Sequence, residues 1–516
     1  MEKMVNLYKV LSGIEYEVQL EGKSIVDVNE ILVHSNQVYD GTMFVALVGA
    51  KVDGHKFLLD AYKKGAKFLV INKNKLNDVD ISCFHDITLV TVNNTRECLS
   101  KMINNFYEDP SKQFTLVGVT GTNGKTSVTK MAQYLFMKQE YKTGLIGTID
   151  NYVDNEILSI EKTTPTTPDC VELGKIMDKF VEEKVDYCFM EVSSMALKTH
   201  RVSACDFDLA VFTNLSPEHL DDHKTMEDYV ESKLKLFTMT NKAVINMDNE
   251  YSQKVLSSFT GNSIRYGIQQ TSLCNLYAKN IEYYNDKVKF LVVYKKNNNL
   301  NQESCSSIEY PMTIYTPSEF AVYNNLAVIG IGLMCGLEFT RIIDCLSEKI
   351  YIDGRYEVIT GEKPFTVIVD YAHTAFALEN ILKAVRKNKS YKRIITVFGC
   401  GGNRDKSKRS VMGRISQALS DYTIITSDNP RTEPPKAIIE DILEGMDESS
   451  GNYTYMRERK AAIEHAVFLA QENDVIVIIG KGHEREQIFN GYSVPFSDKE
   501  VAINAMKVRE KSYQLG

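Results

Sequence analysis

The sequence predicts an α/β fold built from parallel sheets with crossover helices. Short apolar runs rich in Val, Ile and Phe alternate with amphipathic segments of helix length. Seven of these runs are followed at once by residues that carry Gly, Asp, His, Lys or Arg. Ligands of open α/β sheets bind beyond the carboxyl ends of the strands, so this placement favours an enzyme over a scaffold. The seven predicted strands are residues 114–120, 186–192, 207–214, 365–370, 393–399, 422–427 and 474–480.

The length and composition predict a globular protein of about three domains. The chain has 516 residues, of which 43% are hydrophobic and 25% charged, and domains typically contain ~100–200 residues. We expect an N-terminal domain over 1–109, because Pro110 stops a helix there. A central domain over 110–347 opens with a glycine-rich loop, and a C-terminal domain covers 348–516.

The charge and the cysteines restrict the partners and the compartment. The net charge of −8 argues against a general affinity for nucleic acid or anionic membranes. No apolar run reaches the ~20 residues that span a bilayer, and the first residues lack the pattern of a signal peptide. Ten cysteines without a CxxC pair predict free thiols in a reducing cytoplasm. We therefore expect a cytoplasmic monomer that binds small molecules. The polar segment Lys295–Ser307 is interpreted as a hairpin tip or surface insertion.

A phosphate-binding loop, GTNGKTS, is predicted over Gly121–Ser127, between a predicted strand and the amphipathic segment Val128–Lys138. Its glycines allow backbone N–H groups to approach phosphate oxygens, and a following helix N-terminus favours negative charge. Lys125 would contact the β- and γ-phosphates, and the Thr126 hydroxyl would join a Mg²⁺ shell. The general P-loop pattern has glycine where this chain has Val119, so an incidental glycine-rich turn is the alternative. The preceding strand, the following helix and the GKTS ending favour the nucleotide site.

Further motifs follow in a fixed order: EVSS from Glu191, FTNLSPEHLDDH, DYAHT, FGCGGNRD, DNPR and GKGHE. With the GTNGKTS loop, this order resembles the Mur ligase family over about Ile31 to Phe489. The resemblance implies a three-domain architecture with a central P-loop ATPase-like parallel sheet and a Rossmann-like C-terminal domain. It also implies an ATP- and Mg²⁺-dependent acid–amino-acid ligase. In that family ATP phosphorylates a substrate carboxylate, and the amine of an amino acid attacks the acyl phosphate.

The predicted chemistry needs a metal site, because phosphoryl transfer to a carboxylate requires Mg²⁺ and cations around the γ-phosphate. Glu191 could instead be a strand-end carboxylate paired with an arginine, and His219 an ordinary loop histidine. The resemblance implies that both ligate magnesium. It further implies that Lys233, fourteen residues after His219, carries CO₂ as a carbamate (N6-carboxylysine) that ligates the metal. Without the resemblance, Lys233 and Lys235 would be solvated surface charges, and His223 has no assigned role.

The resemblance assigns residues to catalysis, to metal binding, to an ATP site and to an acceptor site. Lys125, His219 and Lys233 are the expected catalytic residues, and Thr126, Glu191, His219 and Lys233 the expected metal ligands. The expected ATP site is Gly121, Thr122, Asn123, Gly124, Lys125, Thr126, Ser127, Asn324, Arg355 and Asp370. Asn324 could instead cap a helix, and Asp370 could simply end a strand. The expected acceptor site, for UDP-N-acetylmuramoyl-dipeptide, is Ser35, Thr166, Thr167, Ser193, Thr199 and Arg201. Ser35 and residues 49–54 resemble the family's uridine-diphosphate site, and the alternative is a plain surface turn.

The DNPR motif indicates which amino acid is added. Family members that add meso-diaminopimelate resemble this chain in having DNPR, whereas lysine-adding members lack the arginine. Meso-diaminopimelate has a second carboxylate, which a guanidinium binds with two parallel hydrogen bonds, and Glu484 suits its distal ammonium. The expected amino-acid site is Arg404, Asp428, Asn429, Pro430, Arg431, Gly480 and Glu484. The alternative is that Arg431 is a turn arginine paired with Glu433.

We therefore expect ATP-dependent ligation of meso-diaminopimelate to UDP-N-acetylmuramoyl-L-alanyl-D-glutamate in peptidoglycan precursor synthesis. Departures from the family pattern lie mostly on the acceptor side and in supporting loops, at His34, Asn36, Met195, Thr199 and Ala321. They leave open a paralogue that adds L-lysine or uses another acidic acceptor, such as a folylpolyglutamate synthetase. A non-catalytic nucleotide-binding paralogue is a further alternative, which the presence of the three expected catalytic residues disfavours.

Overall fold

The computed structural model describes residues 3–22, 26–49, 52–218, 220–296, 307–359 and 365–514. The chain forms two compact units. The first comprises residues 1–120, 136–210 and 231–242, and the second residues 121–135, 211–230 and 243–516. His219, residues 50–51 and most of the predicted insertion lie outside the described residues. The three predicted domain boundaries stay a prediction.

The N-terminal part of the first unit is a sheet covered by helices on both faces. Strands β4 to β7 are parallel, β2 pairs antiparallel with β7, and the spatial order is β2-β7-β6-β5-β4. Helix α3 begins where the Asn94 side chain accepts hydrogen bonds from the next turn, and it buries Leu99 and Met102 against the sheet. The elements are β1 Val5–Asn6, α1 Leu7–Val10, β2 Tyr16–Leu20, β3 Asp27–Val28, β4 Ile31–Leu32, β5 Met43–Val45, α2 Leu58–Lys63, β6 Phe68–Asn72, β7 Thr88–Val92 and α3 Thr95–Phe106.

The middle of the chain supplies strands to both units. In the first unit the order is β11-β10-β9-β12-β8, with β9, β12 and β8 parallel. In the second the order is β13 to β18, and β17 and β18, which flank the predicted insertion, pair antiparallel. The elements are β8 Thr115–Thr120, α4 Lys125–Lys138, β9 Thr143–Ile146, β10 Asn151–Val153, β11 Glu156–Ile157, α5 Cys170–Glu182, β12 Tyr187–Glu191, α6 Ser194–Lys198, β13 Leu209–Phe212, α7 Leu220–His223, α8 Met226–Leu234, β14 Lys242–Asn246, α9 Ser252–Ser257, β15 Asn262–Gly267, β16 Leu276–Tyr283, β17 Val288–Lys295, β18 Ser307–Ile314, α10 Glu319–Met334 and α11 Phe339–Leu346.

The C-terminal part is a doubly wound sheet in the order β19-β20-β24-β21-β22-β23, parallel from β20 to β23. Helices α12 to α14 cover one face, and α15 and α16 cover the other. The strand order reverses between β21 and β24, the place where such sheets bind ligands. The elements are β19 Glu357–Ile359, β20 Thr366–Asp370, α12 Ala375–Lys387, β21 Arg393–Phe398, α13 Ser407–Leu419, β22 Tyr422–Ile425, α14 Pro435–Leu443, β23 Tyr453–Tyr455, α15 Arg459–Leu469, β24 Asp474–Ile479, β25 Glu486–Phe489, β26 Tyr492–Pro495 and α16 Asp498–Gln514.

A buried ion pair joins the two helices of that second face. The Arg459 guanidinium donates to both carboxylate oxygens of Asp498, at 2.7 and 2.6 Å. It also donates to the carbonyl of Ile479 at 3.1 Å, at the end of β24. Both charged side chains are fully buried. The carboxyl end of β24 is therefore tied to α15 and α16.

The α/β fold predicted from the sequence is confirmed. All seven predicted strands are present, as β8, β12, β13, β20, β21, β22 and β24. The nine cysteines among the described residues are free thiols. In the same part of the chain, no helix combines the length and the apolar character that crossing a bilayer requires.

Candidate active site

The predicted phosphate loop connects β8 to α4, and its backbone requires glycine at two positions. Gly121 and Gly124 have φ angles of 151° and 89°, a region that other residues adopt only with strain. A Cβ atom at Gly121 would lie 1.9 Å from Thr213 Oγ1, and one at Gly124 would lie 2.7 Å from Asn324 Oδ1. The loop is therefore packed closely, and no larger side chain fits at either glycine.

The ammonium of Lys125 lies over this loop. Its Nζ donates to the carbonyl oxygens of Gly121 at 2.8 Å and Thr122 at 2.9 Å. Asn214 holds the backbone of Asn123, because Asn214 Oδ1 accepts a hydrogen bond from the Asn123 N–H at 3.0 Å. The Asn123 Nδ2 is buried and has no hydrogen-bond partner among the described residues. A buried donor of this kind ordinarily has a partner, and a phosphate oxygen would supply one.

Two further predicted nucleotide residues of the second unit contact the loop. The Arg355 Nη2 donates to Thr126 Oγ1 at 2.9 Å, and its guanidinium lies 4.6 Å from the Tyr371 ring centroid. Within the described chain, the buried Arg355 Nε has no hydrogen-bond partner. Asn324 lies inside α10, which Ser318 caps, so its interpretation as a helix cap is wrong. The glycines and the two unpartnered donors fit the phosphates of a nucleotide.

Asp370 ends β20 and is held by backbone amides. Its carboxylate accepts hydrogen bonds from the N–H groups of Tyr356 and Ala372, both at 2.7 Å. Burial raises the pKa of Asp370 above its ordinary value. These bonds fix the strand end and the segment after Arg355. They are what is expected of a carboxylate that simply ends a strand. Its contact with a nucleotide stays a prediction.

In the first unit, Glu191 lies at the buried end of β12, and Thr148 orients its carboxylate. Thr148 donates to both carboxylate oxygens, from its backbone N–H at 2.8 Å and from its hydroxyl at 2.9 Å. A Cβ atom at Gly147 would lie 2.5 Å from Glu191 Oε1. The Glu191 carboxylate is therefore oriented by Thr148 and lies close against Gly147.

Lys162 supports the same turn, and the sequence analysis did not identify it. Its Nζ donates to the carbonyl oxygens of Gly147 and Thr148, each at 2.6 Å. Burial lowers the pKa of Lys162, although Glu191 acts in the opposite direction. Only its position directly before Thr163–Asp169 (TTPTTPD), the segment that contains the predicted acceptor residues, could have drawn attention to it.

The predicted acceptor residues form a hydrogen-bonded group around the end of β12. Thr167 Oγ1 donates to the Glu191 carbonyl at 2.8 Å and accepts from the Ser193 N–H at 2.9 Å. Arg201 Nη1 donates to the Thr167 carbonyl at 3.0 Å. Thr166 contacts the Thr148 hydroxyl at 3.2 Å. Four of the six predicted residues thus lie together.

The other two acceptor residues make local contacts. Thr199 Oγ1 donates to the Met195 carbonyl at 2.6 Å, at the end of α6. Ser35 begins a short 3₁₀ turn, and its carbonyl accepts a hydrogen bond from Lys64 at 3.1 Å. Neither contact tests a role in substrate binding.

The predicted metal ligands include a lysine that is not on the surface. Lys233 is only 2% exposed, whereas Lys235 is exposed. The interpretation as a surface charge is therefore wrong for Lys233 and correct for Lys235. His223 is fully buried, with Nδ1 3.5 Å from Asp228 Oδ2. Among the described residues, which exclude His219, no three His, Cys, Asp or Glu side chains form a group able to hold a metal ion. The metal site stays a prediction.

The predicted amino-acid residues lie where the C-terminal strand order reverses. Asn429 Nδ2 donates to Glu484 Oε2 at 2.8 Å. The fully buried Lys481 donates to Asn429 Oδ1 at 2.9 Å and to Glu484 Oε2 at 2.6 Å. A Cβ atom at Gly480 would lie 2.6 Å from Asp428 Oδ2. Lys481 was not predicted, although it follows a buried strand inside the GKGHE motif.

Arg431 and Arg404 approach the same glycine. A Cβ atom at Gly401 would lie 3.0 Å from Arg431 Nη1 and 3.7 Å from Arg404 Cγ. Arg431 Nη1 also donates to the Gly402 carbonyl at 2.8 Å. Burial and the neighbouring Arg404 charge lower the pKa of Arg431. The Arg431 guanidinium and the aliphatic part of Arg404 thus meet at one glycine, and two neighbouring arginines suit an anion with more than one oxygen.

The alternative in which Arg431 pairs with Glu433 is wrong. Both Glu433 oxygens accept hydrogen bonds from Arg409, at 2.9 and 3.1 Å. Over the described part of the chain, Arg431 has no carboxylate oxygen within 4.0 Å. Its guanidinium is therefore available to a ligand.

Comparison with known families and proteins identifies the family of the chain. The family model described as "Mur ligase middle domain" matches residues 119–332, and "Mur ligase, glutamate ligase domain" matches residues 354–482. A protein of Clostridium botulinum (strain ATCC 19397 / Type A) is 41% identical over 505 residues, which is 98% of this chain and all of the relative. It is named UDP-N-acetylmuramoyl-L-alanyl-D-glutamate--2,6-diaminopimelate ligase.

Solved structures give the same result. A structure of UDP-N-acetylmuramoyl-L-alanyl-D-glutamate--2,6-diaminopimelate ligase is 26% identical, covers 98% of this chain and 99% of its own, and has a TM-score of 0.65. A MurF ligase of Thermotoga maritima, solved in complex with ADP, has a TM-score of 0.60 at 16% identity and covers 94% of this chain and 98% of its own. At 16% identity, the similarity to the MurF ligase shows a shared fold.

Proposed function

The chain belongs to the Mur ligase family, and we propose that it ligates meso-diaminopimelate to UDP-N-acetylmuramoyl-L-alanyl-D-glutamate at the expense of ATP. Its relative of 41% identity over 98% of the chain is named for this reaction. The observation that carries the proposal is that Arg404 and Arg431 approach the same glycine, Gly401, near the end of β21. The reaction belongs to peptidoglycan synthesis and thus to formation of the cell wall.

The phosphate loop supports the role of ATP, which supplies the phosphoryl group that makes the acceptor carboxylate an electrophile. Lys125, whose ammonium lies over the loop, would stabilise the charge that develops during transfer. Arg355 is held at Thr126 by a 2.9 Å hydrogen bond, so a second cation is fixed beside the loop. The buried donors Asn123 Nδ2 and Arg355 Nε would find partners on phosphate oxygens.

We propose Mg²⁺ as the metal, with Thr126, Glu191, His219 and the carbamate of Lys233 as ligands carried over from the family motifs. Hydroxyl and carboxylate oxygens are the donors that Mg²⁺ prefers. The orientation of Glu191 by Thr148 and the burial of Lys233 support this proposal. Carbamylation would turn the Lys233 cation into an oxygen-bearing anion.

The residues around the end of β12 support the assignment of the acceptor site. Thr166, Thr167, Ser193 and Arg201 form one hydrogen-bonded group there, and hydroxyls with an arginine suit an anionic, hydroxyl-rich ligand. We propose that this group holds the sugar-peptide part of the acceptor. Ser35 is proposed to contact its uridine diphosphate.

The amino-acid assignment rests on charge. Arg404 and Arg431 would bind the distal carboxylate of meso-diaminopimelate, and Glu484 its distal ammonium. L-lysine lacks that carboxylate, so its binding would leave two guanidinium groups without an anion. We therefore propose that the pocket discriminates against L-lysine.

The test is a ligation assay with purified protein, ATP, MgCl₂ and UDP-N-acetylmuramoyl-L-alanyl-D-glutamate. ADP release and the mass of the product are measured with meso-diaminopimelate, L-lysine or no amino acid. We expect a product only with meso-diaminopimelate, or a far higher kcat/KM with it. Equal or better kcat/KM with L-lysine would contradict the amino-acid assignment, and no ligation with either amino acid would contradict the reaction. Light scattering on the same sample tests the expected monomer.

A further inference from the structure

A buried arginine lies between the two loops that carry the proposed amino-acid site. Arg409, in α13, is fully buried. Its guanidinium donates to both oxygens of Glu433, to Asp441 Oδ2 at 2.7 Å and to the Gly401 carbonyl at 3.2 Å. Gly401 belongs to the loop after β21, and Glu433 to the loop after β22. One side chain therefore contacts both loops.

Glu433 extends this connection to the residue before Arg404. Its Oε1 accepts a hydrogen bond from the Asn403 N–H at 2.5 Å. In return, Thr432 donates from its N–H at 3.1 Å and from its hydroxyl at 2.8 Å to Asn403 Oδ1. The two loops are thus joined directly, at positions adjacent to Arg404 and Arg431.

The connection has an electrostatic reason. Arg404 and Arg431 carry like charges, and the Arg404 charge contributes to the lowered pKa of Arg431 after the larger effect of burial. Repulsion between them would separate the loops when no anion is bound. The ion pair between Arg409 and Glu433 opposes this separation, because Arg409 also donates to Gly401 in the other loop.

We propose that Arg409 and Glu433 are positioning residues that hold Arg404 and Arg431 at the spacing needed to bind the distal carboxylate of the incoming amino acid. This inference rests on the proposed function, because it concerns the amino-acid site of that reaction. A displacement of about 1 Å at a reacting site can change rates by about 100-fold, so small movements of these loops matter.

The test compares two isosteric variants that each remove one carboxylate from Arg409. In Glu433→Gln, an NH₂ group replaces one carboxylate oxygen, so only one side-chain oxygen is left to accept from Arg409 and the Asn403 N–H. The charge that pairs with Arg409 is also lost, so the connection between the loops is weakened. Asp441→Asn also removes one carboxylate that accepts from Arg409. Asp441 lies in α14 and in neither of the two loops, so this variant is the matched control. Both variants are assayed for KM of meso-diaminopimelate, KM of ATP, kcat and Tm.

We expect Glu433→Gln to raise the KM for meso-diaminopimelate by at least about tenfold, with the KM for ATP within about twofold of wild type. Asp441→Asn should leave both constants within about twofold. Arg409→Lys, which keeps the charge but loses the paired hydrogen bonds, should resemble Glu433→Gln, and it serves as the second variant should Glu433→Gln not fold.

Equal effects of Glu433→Gln and Asp441→Asn on KM for meso-diaminopimelate would overturn the inference. So would a loss in Tm and in ATP binding that accounts for the whole effect. Failure of the proposed function is distinguished in the same experiment, because wild-type protein would then form no meso-diaminopimelate product.

Discussion

Replacement of Arg431 by alanine is expected to weaken the binding of meso-diaminopimelate far more than that of ATP. Nη1 of Arg431 is held by the Gly402 carbonyl at 2.8 Å, so the guanidinium is oriented before substrate arrives. A hydrogen bond to a charged group contributes about 1.5–3 kcal/mol. At about 1.4 kcal/mol per factor of ten, the KM for meso-diaminopimelate should rise by roughly 10- to 150-fold.

The backbone does not complicate this experiment. Arg431 has a φ angle of 53°, and alanine meets the same strain there as arginine, so the substitution changes the side chain alone. Arg431→Lys is the matched control: it keeps the charge, loses the paired hydrogen bonds and should give an intermediate KM.

The assay is ADP release at saturating ATP and acceptor, with meso-diaminopimelate or L-lysine varied, and ATP varied in a second series. An unchanged KM for meso-diaminopimelate in Arg431→Ala would refute the reasoning. A parallel rise in the KM for ATP would also refute it, because it would indicate a general loss of structure.

Three further outcomes are expected. Lys125→Ala should keep its circular dichroism spectrum but lose at least about 100-fold in kcat, because the charge over the phosphate loop is removed; near-normal ADP release would contradict the loop assignment. Lys233→Ala should be nearly inactive and partly restored by a short-chain carboxylic acid, whereas Lys235→Ala should resemble wild type; equal activity of the two would exclude the carbamate. The hydrogen bond from Arg409 lowers the pKa of Glu433 below 4.5, so its stabilisation is present above about pH 4.5 and is lost as the pH falls through the folded-state pKa. The Tm of Glu433→Gln should therefore fall less than that of wild type on acidification, and parallel Tm curves would contradict this.

Local sequence predicted the strands and the loops that follow them, because a buried parallel strand is an apolar run and its end is marked by Gly or a charged residue. The GTNGKTS loop was predicted with its neighbours for this reason. The helix begins at Lys125, three residues before the predicted amphipathic segment. Local pattern could not show that Lys233 is buried and Lys235 exposed, because a charged side chain gives no apolar signal of burial, and α8 ends between the two residues.

The residues that sequence analysis missed act through distant partners. Lys162 contacts the Gly147–Thr148 turn, and Lys481 contacts an asparagine 52 residues away. Arg409 is the partner of Glu433, and the sequence around Arg431 and Glu433 does not reveal this pairing. Polar residues of this kind look like surface charges until the fold brings their partners together.

The buried pair of Arg459 and Asp498 sets a limit on how the C-terminus can vary. Truncation before Asp498 would leave an uncompensated guanidinium under the end of β24, a change that typically costs about 3–5 kcal/mol. Homologous chains should therefore exchange these two residues together or not at all. An affinity tag therefore belongs after α16, because Asp498 begins that helix and has to stay paired with Arg459.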